Sequence, residues 1–217
     1  MLKRRLRALL SDRRLDAIAE LAGQATRILG ALVPLTFDRD PLIGWRAVEA
    51  MGVAAARIAD RDPDAVREHL RRLKWLLTEE SGGICWRAPE AMAEIVRRLP
   101  GPFADFVPIV VHLLQETAEE DLRHFRAGML WAIGRLGPIA APHVGDVLPT
   151  MVAALDHPDP QVRGVAVWAL SEAGHADLVA ERVGLTGDEG VVELYEGGEL
   201  TRTTVGMLAR RAIVAGD

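Results

Sequence analysis

The 217 residues predict an all-α chain built as a helical repeat array, with one small β-hairpin near the C-terminus. Three observations carry that reading. Arg46, Arg87, Arg126 and Arg163 recur at separations of 41, 39 and 37 residues, a near-constant period of the kind that marks paired-helix repeats. Residues flanking these arginines repeat in size as well as in position. Finally, 49% of the chain is hydrophobic but only 5% is aromatic, so the interior must be made chiefly of Ala, Leu, Val and Ile. Ala and Leu are strong helix formers.

Aligned on the arginines, the columns describe a core. The preceding residue is apolar (Trp45, Trp86, Phe125, Val162) and the following one small (Ala47, Ala88, Ala127, Gly164). Five residues on, the side chain is large (Met51, Met92, Trp131, Trp168), and six on it is small again (Gly52, Ala93, Ala132, Ala169). Large and small positions that recur together are what stacked helices need, because each bulky side chain must fill a gap left by its neighbour.

Taken in order, the chain opens on a short basic helix in which Leu2, Leu6, Leu9 and Leu10 follow helical spacing. Residues 1–14 carry six basic side chains against Asp12, a net +5, and read as a cap over the end of the array. A contact with an acidic partner or a membrane surface is the sharper alternative. An Ala/Leu/Ile-rich helix is expected from Leu15 to about Leu35, ended by Pro34 and the turn Asp38-Arg39-Asp40-Pro41. Asp40-Pro41 then opens the first Arg-bearing helix, to about Ala59, with Pro tolerated in the first turn because its missing N–H is not needed there. That helix is apolar almost all round and should be covered on most sides. Asp62-Pro63-Asp64 starts its partner, whose stripe is Val66, Leu70, Leu73, Leu76 and Leu77.

Pro89 sits badly inside a helix, so the second Arg-bearing helix should begin near Ala88 or Pro89, leaving Gly82 to Arg87 as a loop. Helices are then expected over Pro102–Glu116, Asp121–Leu136, Ala140–Leu155 and Asp159–Ala173. Val191–Glu196 and Glu199–Thr204 flank Gly197-Gly198, a two-residue turn suited to a hairpin, with Tyr195 opposite Leu200 and Glu193 opposite Arg202. Thr204 can cap a last helix, Val205 to Ile213. Arg202 also falls 39 residues after Arg163, but three Thr and two Gly argue against a fifth Arg-bearing helix.

The stretch Leu148-Pro149 through Leu155-Asp156-His157-Pro158-Asp159-Pro160-Gln161-Val162-Arg163, ending in Ala169-Leu170, resembles a HEAT repeat of the short bacterial type also found in PBS-lyase-like proteins. The likeness is strongest over residues 138–174, good over 118–137 and looser over 38–100. It implies a right-handed α-solenoid of about four to five helix pairs in one domain spanning 1–217: the basic cap to residue 14, repeats over 15–185, then the hairpin and terminal helix. In such proteins the Val-Arg helices line the concave face, and a ladder of turn Asp and helix Arg ties neighbouring repeats. Carried over, the ladder would be Asp40, Arg46, Asp121, Arg126, Asp159 and Arg163. Repeat two departs, with Ser81-Gly82-Gly83 where the turn Asp should stand.

Composition bounds the function. The net charge is -5, so outside the basic cap the remaining 203 residues carry -10, which opposes a nucleic-acid footprint over most of the surface. Cys85 is the single cysteine, so no internal disulfide can form. With neither a leader pattern nor an apolar run near 18 residues, a cytoplasmic chain without membrane insertion is expected. His69, His112, His124, His143, His157 and His175 make no two-His pair at ligand spacing, and no phosphate loop or nucleophile elbow appears. Trp75, Trp131 and Trp168 lie on helical stripes and read as core.

Two candidate sites follow. The Arg column can tie repeats through carboxylates and helix-end carbonyls or, on a concave face, bind anions. The segment Cys85-Trp86-Arg87 with Glu90 places a thiol, an indole and a guanidinium beside a helix N-terminus, where a ligand could sit; core packing of Cys and Trp is the plainer alternative. Together with Trp45, Arg46 and Glu49 one repeat earlier, these residues mark the expected groove. The function expected is a non-enzymatic scaffold that binds a protein or peptide partner on its concave face, without cofactor or metal. The resemblance leaves two alternatives: a DNA glycosylase for alkylated bases, which in such proteins uses concave Trp, Asp and Arg side chains, or another nucleic-acid-binding HEAT protein, and a bilin-lyase-like handling of a chromophore.

Overall fold

The structure, a computed structural model, describes residues 1–77, 87–119 and 125–216, the side chains of 117–119 and 216 excepted. It is mostly helical with one two-stranded sheet, and the chain divides into two compact units. The first comprises Met1–Ala104 and Tyr195–Leu200, the second Asp105–Leu194 and Thr201–Asp217.

In the first unit the helices are α1 (Leu2–Ser11), α2 (Leu15–Gln24), α3 (Arg27–Leu32), α4 (Pro41–Ala59), α5 (Pro63–Leu77), α6 (Ala88–Arg98) and α7 (Pro100–Phe103). α4 is the hub, packing on α1, α2, α3, α5 and α6. Its first turn is fixed by Asp40, whose carboxylate accepts from the Leu42 N–H at 3.0 Å, with Pro41 following the cap. Close approach of α4 to α6 depends on Gly52: a Cβ there would stand 2.7 Å from the Glu94 carbonyl oxygen. The α6 start at Ala88 agrees with the boundary that Pro89 requires.

Local departures from the sequence reading have local causes. The helix expected over Leu15–Leu35 breaks at Ala25, which is extended at φ -157° and ψ 126°. Arg61 caps the break by donating to the Ala22 and Gly23 carbonyls, which the helix's own N–H groups do not reach. A 3-10 turn, Val33–Leu35, follows α3. On α5, Val66, Leu70, Leu73 and Leu77 are buried but Trp75 is 58% exposed, against the expectation of a core Trp. Two residues from Leu73 is about 200° round the helix, the wrong side of the stripe.

The second unit holds α8 (Val107–Glu119), α9 (Arg126–Leu136), α10 (Leu148–Ala153), α11 (Pro160–Glu172), α12 (Ala176–Ala180) and α13 (Val205–Gly216). Its centre is the α9–α11 pair, where the Trp131 and Trp168 rings lie 6.1 Å apart at 25°. Both are buried, as their place in the large-residue column implies. Gly134 makes room beneath them, since a Cβ there would stand 2.6 Å from Trp168 Cζ3. The helix expected over Pro102–Glu116 is divided by a 3-10 turn, Ala104–Phe106, because Pro108 has no N–H to give to the Ala104 carbonyl. That expected over Ala140–Leu155 is reduced to 3-10 turns at Ala141–His143 and Ala154–Asp156 around α10, with Pro142 and Pro149 interrupting the donor ladder. Of the helix expected from Asp121, residues 121–124 lie outside the described residues.

The hairpin forms as the turn demands. β1 (Val191–Glu196) and β2 (Glu199–Thr204) join through Gly197 and Gly198, with φ of 63° and 90°, a conformation that favours glycine. Arg202 therefore lies on a strand. Gln161 brackets β1 by donating to the Glu193 carbonyl at 2.8 Å and accepting from the Glu193 N–H at 2.9 Å. Thr204 Oγ1 accepts from the Met207 N–H at 3.2 Å, the cap expected for the last helix, which continues past Ile213 to Gly216.

Candidate functional site

The members of the Arg column differ in what they hold. On α4, Arg46 is buried, donating to the Ser11 carbonyl at 2.7 Å, the Leu10 carbonyl at 3.3 Å, the Gly198 carbonyl at 3.3 Å and Glu199 Oε1 at 3.0 Å. Two of those acceptors are C-terminal carbonyls of α1, past the helix's own N–H ladder, and that of Leu10 also accepts from the Arg13 N–H at 3.1 Å. In the second unit Arg163 donates to Asp188 at 2.8 Å and to the His157 and Pro158 carbonyls at 2.7 and 2.9 Å. That ion pair holds Asp188 below the usual carboxylate range. Asp40 and Asp159 do not supply these acceptors. Each instead caps its helix, Asp159 accepting from the Gln161 N–H at 2.9 Å. Arg126, the first residue of α9, is half-buried, and Asp121 lies outside the described residues.

Arg87 is different. Its guanidinium carbon lies 4.0 Å above the Trp45 ring centre, and Trp45 stacks in turn on Tyr195 at 5.4 Å and 3°, so a cation and two aromatic rings form one column. Its contact with Glu90 is 3.9 Å, beyond hydrogen-bond reach, and burial pulls its pKa down, with Glu90 opposing. Among the described residues Arg87 makes no hydrogen bond through its side chain, although the side chain is 23% exposed. Of the other expected groove residues, Trp45, Arg46, Glu49, Arg87 and Glu90 are described and lie on α4 and at the start of α6; Cys85 and Trp86 fall outside the described residues.

Around this column lie three buried carboxyl groups. Glu49 accepts from the Tyr195 hydroxyl at 2.6 Å and from Arg13 at 3.3 Å. Burial, then the Glu49 contact, pushes the Tyr195 phenol upward, so Tyr195 stays protonated and donating. Glu94, one turn beyond Glu90 on the same face of α6, is fully buried beside Arg97 at 3.5 Å and Arg98 at 3.8 Å. Glu90 is fully buried too, its Oε2 has no hydrogen-bond partner, and desolvation pushes its pKa up to about 7 despite Arg87. The grouping therefore holds a carboxyl that changes charge near neutrality, 3.9 Å from a guanidinium.

Sequence reasoning missed Tyr195, Arg13 and Glu94. Arg13 is the one non-Gly residue with positive φ among those described, at 50°, and it packs onto Gly198. Glu94 was findable, since Glu90 and Glu94 stand four apart on a helix whose flanking columns are apolar.

Residues 123–173 match the family model of a HEAT-like repeat. An uncharacterized protein of Archaeoglobus fulgidus is 30% identical over 179 residues, covering 79% of this chain and 88% of that one. The chain belongs to the HEAT-like repeat proteins. Among the described residues no helix is long and apolar enough to cross a membrane.

Proposed function

We propose that the chain is a non-enzymatic interaction module, a HEAT-like solenoid folded as one repeat domain, that binds a protein or peptide on the face formed by Trp45, Arg87 and their exposed neighbours, with Glu90 buried beneath. The observation that carries this is the Arg87–Trp45–Tyr195 stack. Among the described residues its guanidinium is held by a ring rather than by hydrogen-bond acceptors, an arrangement suited to donating to the carbonyls or carboxylates of an incoming chain. Pre-ordering lowers the entropy lost on binding. Helical repeats offer such faces without needing a reactive group.

The test is affinity capture from host lysate with the wild-type chain, Arg87→Glu and Trp45→Ala, each checked for helicity by circular dichroism. Both folded variants should recover the specific partner at least about tenfold less well, as expected for a central aromatic or Arg anchor. Equal recovery by folded Arg87→Glu overturns the reading. A DNA-glycosylase-like role is the second reading, favoured by one observation: a carboxyl that titrates near neutrality beside Trp45 and Arg87. It requires retardation of duplex DNA at low salt, where phosphate contacts are strongest.

A further inference from the structure

The two edges of the β1–β2 hairpin are not alike. Glu193 on β1 donates its N–H to Gln161 Oε1 at 2.9 Å and its carbonyl accepts from Gln161 Nε2 at 2.8 Å, so one side chain takes the place of a neighbouring strand. That edge is closed. The same two bonds bear on the register, because the main-chain groups of Glu193 that reach Gln161 point away from β2. Gly190 accepts from the Val205 N–H at 3.0 Å, and counting inward from that bonded pair, as from the Gly197-Gly198 turn, sets Glu193 opposite Arg202 in a pair without mutual hydrogen bonds. The Arg202 N–H and carbonyl therefore point outward from β2, as does the Thr204 N–H. Among the described residues no backbone or side-chain group bonds to them there. This edge is open.

Outward donors and acceptors at every second residue match the main chain of another extended segment, whose own groups alternate with the same spacing. Thr201, Thr203 and Thr204 suit a strand laid beside them, and β2 has no Pro to blunt its edge. Side-chain chemistry narrows the occupant. Arg202 is exposed and makes no ion pair among the described residues, and the residue of an added strand that lies opposite it is within reach of its guanidinium. An Asp or Glu fits there. Met207, whose N–H donates to Thr204 Oγ1, is 56% exposed and puts an apolar side chain at the end of the same edge. A second copy of the chain fits worse, because a two-fold antiparallel pairing centred on this edge sets Arg202 opposite or diagonal to its counterpart, where like charges repel.

We propose that the outer edge of β2 takes up an extended acidic peptide of a partner protein as a third strand, bonded through the Arg202 N–H and carbonyl and the Thr204 N–H, with an Asp or Glu of the peptide opposite Arg202. This surface shares no residue with the Arg87 column. The experiment selects phage-displayed random heptapeptides on the full chain, then titrates the enriched sequences as synthetic peptides into the wild type, Arg202→Pro and Arg202→Glu by fluorescence anisotropy. Arg202→Pro removes the outward N–H without removing a ladder bond, a change that an edge strand tolerates, and unchanged helicity verifies its fold. The enriched peptides should carry β-branched residues around one Asp or Glu, and should bind each variant at least about tenfold more weakly than the wild type, as the loss of an edge bond or of the charge match requires. Binding should also slow hydrogen exchange at the Arg202 amide of the wild type, a readout that stands whether or not Arg202→Pro folds. Failure to enrich any such peptide overturns the proposal, as does equal binding by either folded variant or an Arg202 amide that exchanges equally fast when the peptide is bound. A concentration-dependent dimer of the free chain in sedimentation, lost in Arg202→Glu or Arg202→Pro, overturns it in favour of a second copy.

Discussion

Glu49 and Glu90 stand three residues after Arg46 and Arg87; three residues after Arg126 and Arg163 stand Met129 and Ala166. All four positions are buried. The same column of the repeat is therefore filled by carboxyl groups in the first unit and by apolar side chains in the second. The second unit shows that close packing of such helices needs no acid here: with Trp131 over Trp168 and Gly134 beneath, the α9–α11 pair is apolar at its centre. In the first unit, by contrast, Tyr195, Arg13, Arg97 and Arg98 surround the buried carboxyl groups, and one oxygen of Glu90 still has no partner. Buried charge opposes folding unless paired, so its confinement, among the described residues, to the first unit marks that unit as the place where something other than stability is being served.

The sharpest way to break this comparison is to move the acid to the other unit. Met129→Glu places a carboxyl in the second unit without the groups that surround Glu49. It should lower stability at pH 8 by about 3–5 kcal/mol in urea unfolding, the range for an uncompensated buried charge. A loss below about 1 kcal/mol would mean that the second unit accepts the charge as readily as the first. That would remove the contrast.

The reverse exchange sharpens it. Glu90 has its pKa raised from 4.5 to about 7, so the native state binds a proton that the unfolded chain has released between those values. Native stability therefore falls as pH rises from about 4.5 to about 7, and the penalty is fully present above pH 7. Glu90→Gln should accordingly be more stable than the wild type at pH 8, by up to about 3 kcal/mol at roughly 1.4 kcal/mol for each tenfold change in proton affinity, with the advantage gone near pH 4. Thermal unfolding at both pH values reads the difference. A Glu90→Gln variant less stable than wild type at pH 8 would show that Arg87 and its surroundings hold the charge favourably.

Arg46 and Arg163 occupy equivalent positions and both satisfy carbonyls, but Arg46 joins α1, α4 and the hairpin turn whereas Arg163 joins α11 to the loop before β1. Arg46→Ala should cost about 2–3 kcal/mol, since it removes hydrogen bonds to three carbonyls and a carboxylate at once, and Arg163→Ala nearer 2 kcal/mol. Lys should not restore either, because a point charge cannot replace a planar fork that bonds several acceptors. Urea midpoints for the four variants test the order.

What the chain announced in advance and what it concealed divide along sequence distance. The helix start at Pro41, the Ala88 start, the Gly197-Gly198 turn and the Thr204 cap are all set by residues within a few positions of one another. The partners of the Arg column were not. Glu199 lies 153 residues from Arg46, and Tyr195 lies 146 from Glu49. The ladder implied by the resemblance joined each guanidinium to a turn Asp, but an Asp at a helix start already has a backbone N–H to accept from. Trp75 departs from its expected place because residue type alone does not fix the angle round a helix. The breaks at Ala25 and Pro108 follow from donor and acceptor accounting that a periodicity count overlooks.

The two caps give the mildest and most closely matched test, because here the units should behave alike. Asp40 and Asp159 each precede a proline, hold extended backbone, and accept from the N–H two residues on at 3.0 and 2.9 Å. An exposed cap of this kind contributes on the order of 1 kcal/mol. Asp40→Ala and Asp159→Ala should therefore each lower stability by about that amount, and Asp→Asn at either site should recover most of it, because an Asn oxygen accepts the same bond. If instead Asp159→Ala cost several times more than Asp40→Ala, and Asn failed to rescue it, then Asp159 would be tying the second unit together by charge. The inter-repeat ladder would then exist in the unit where the column is otherwise apolar, and the difference between the units would lie in where each places its ion pairs rather than in whether it needs them.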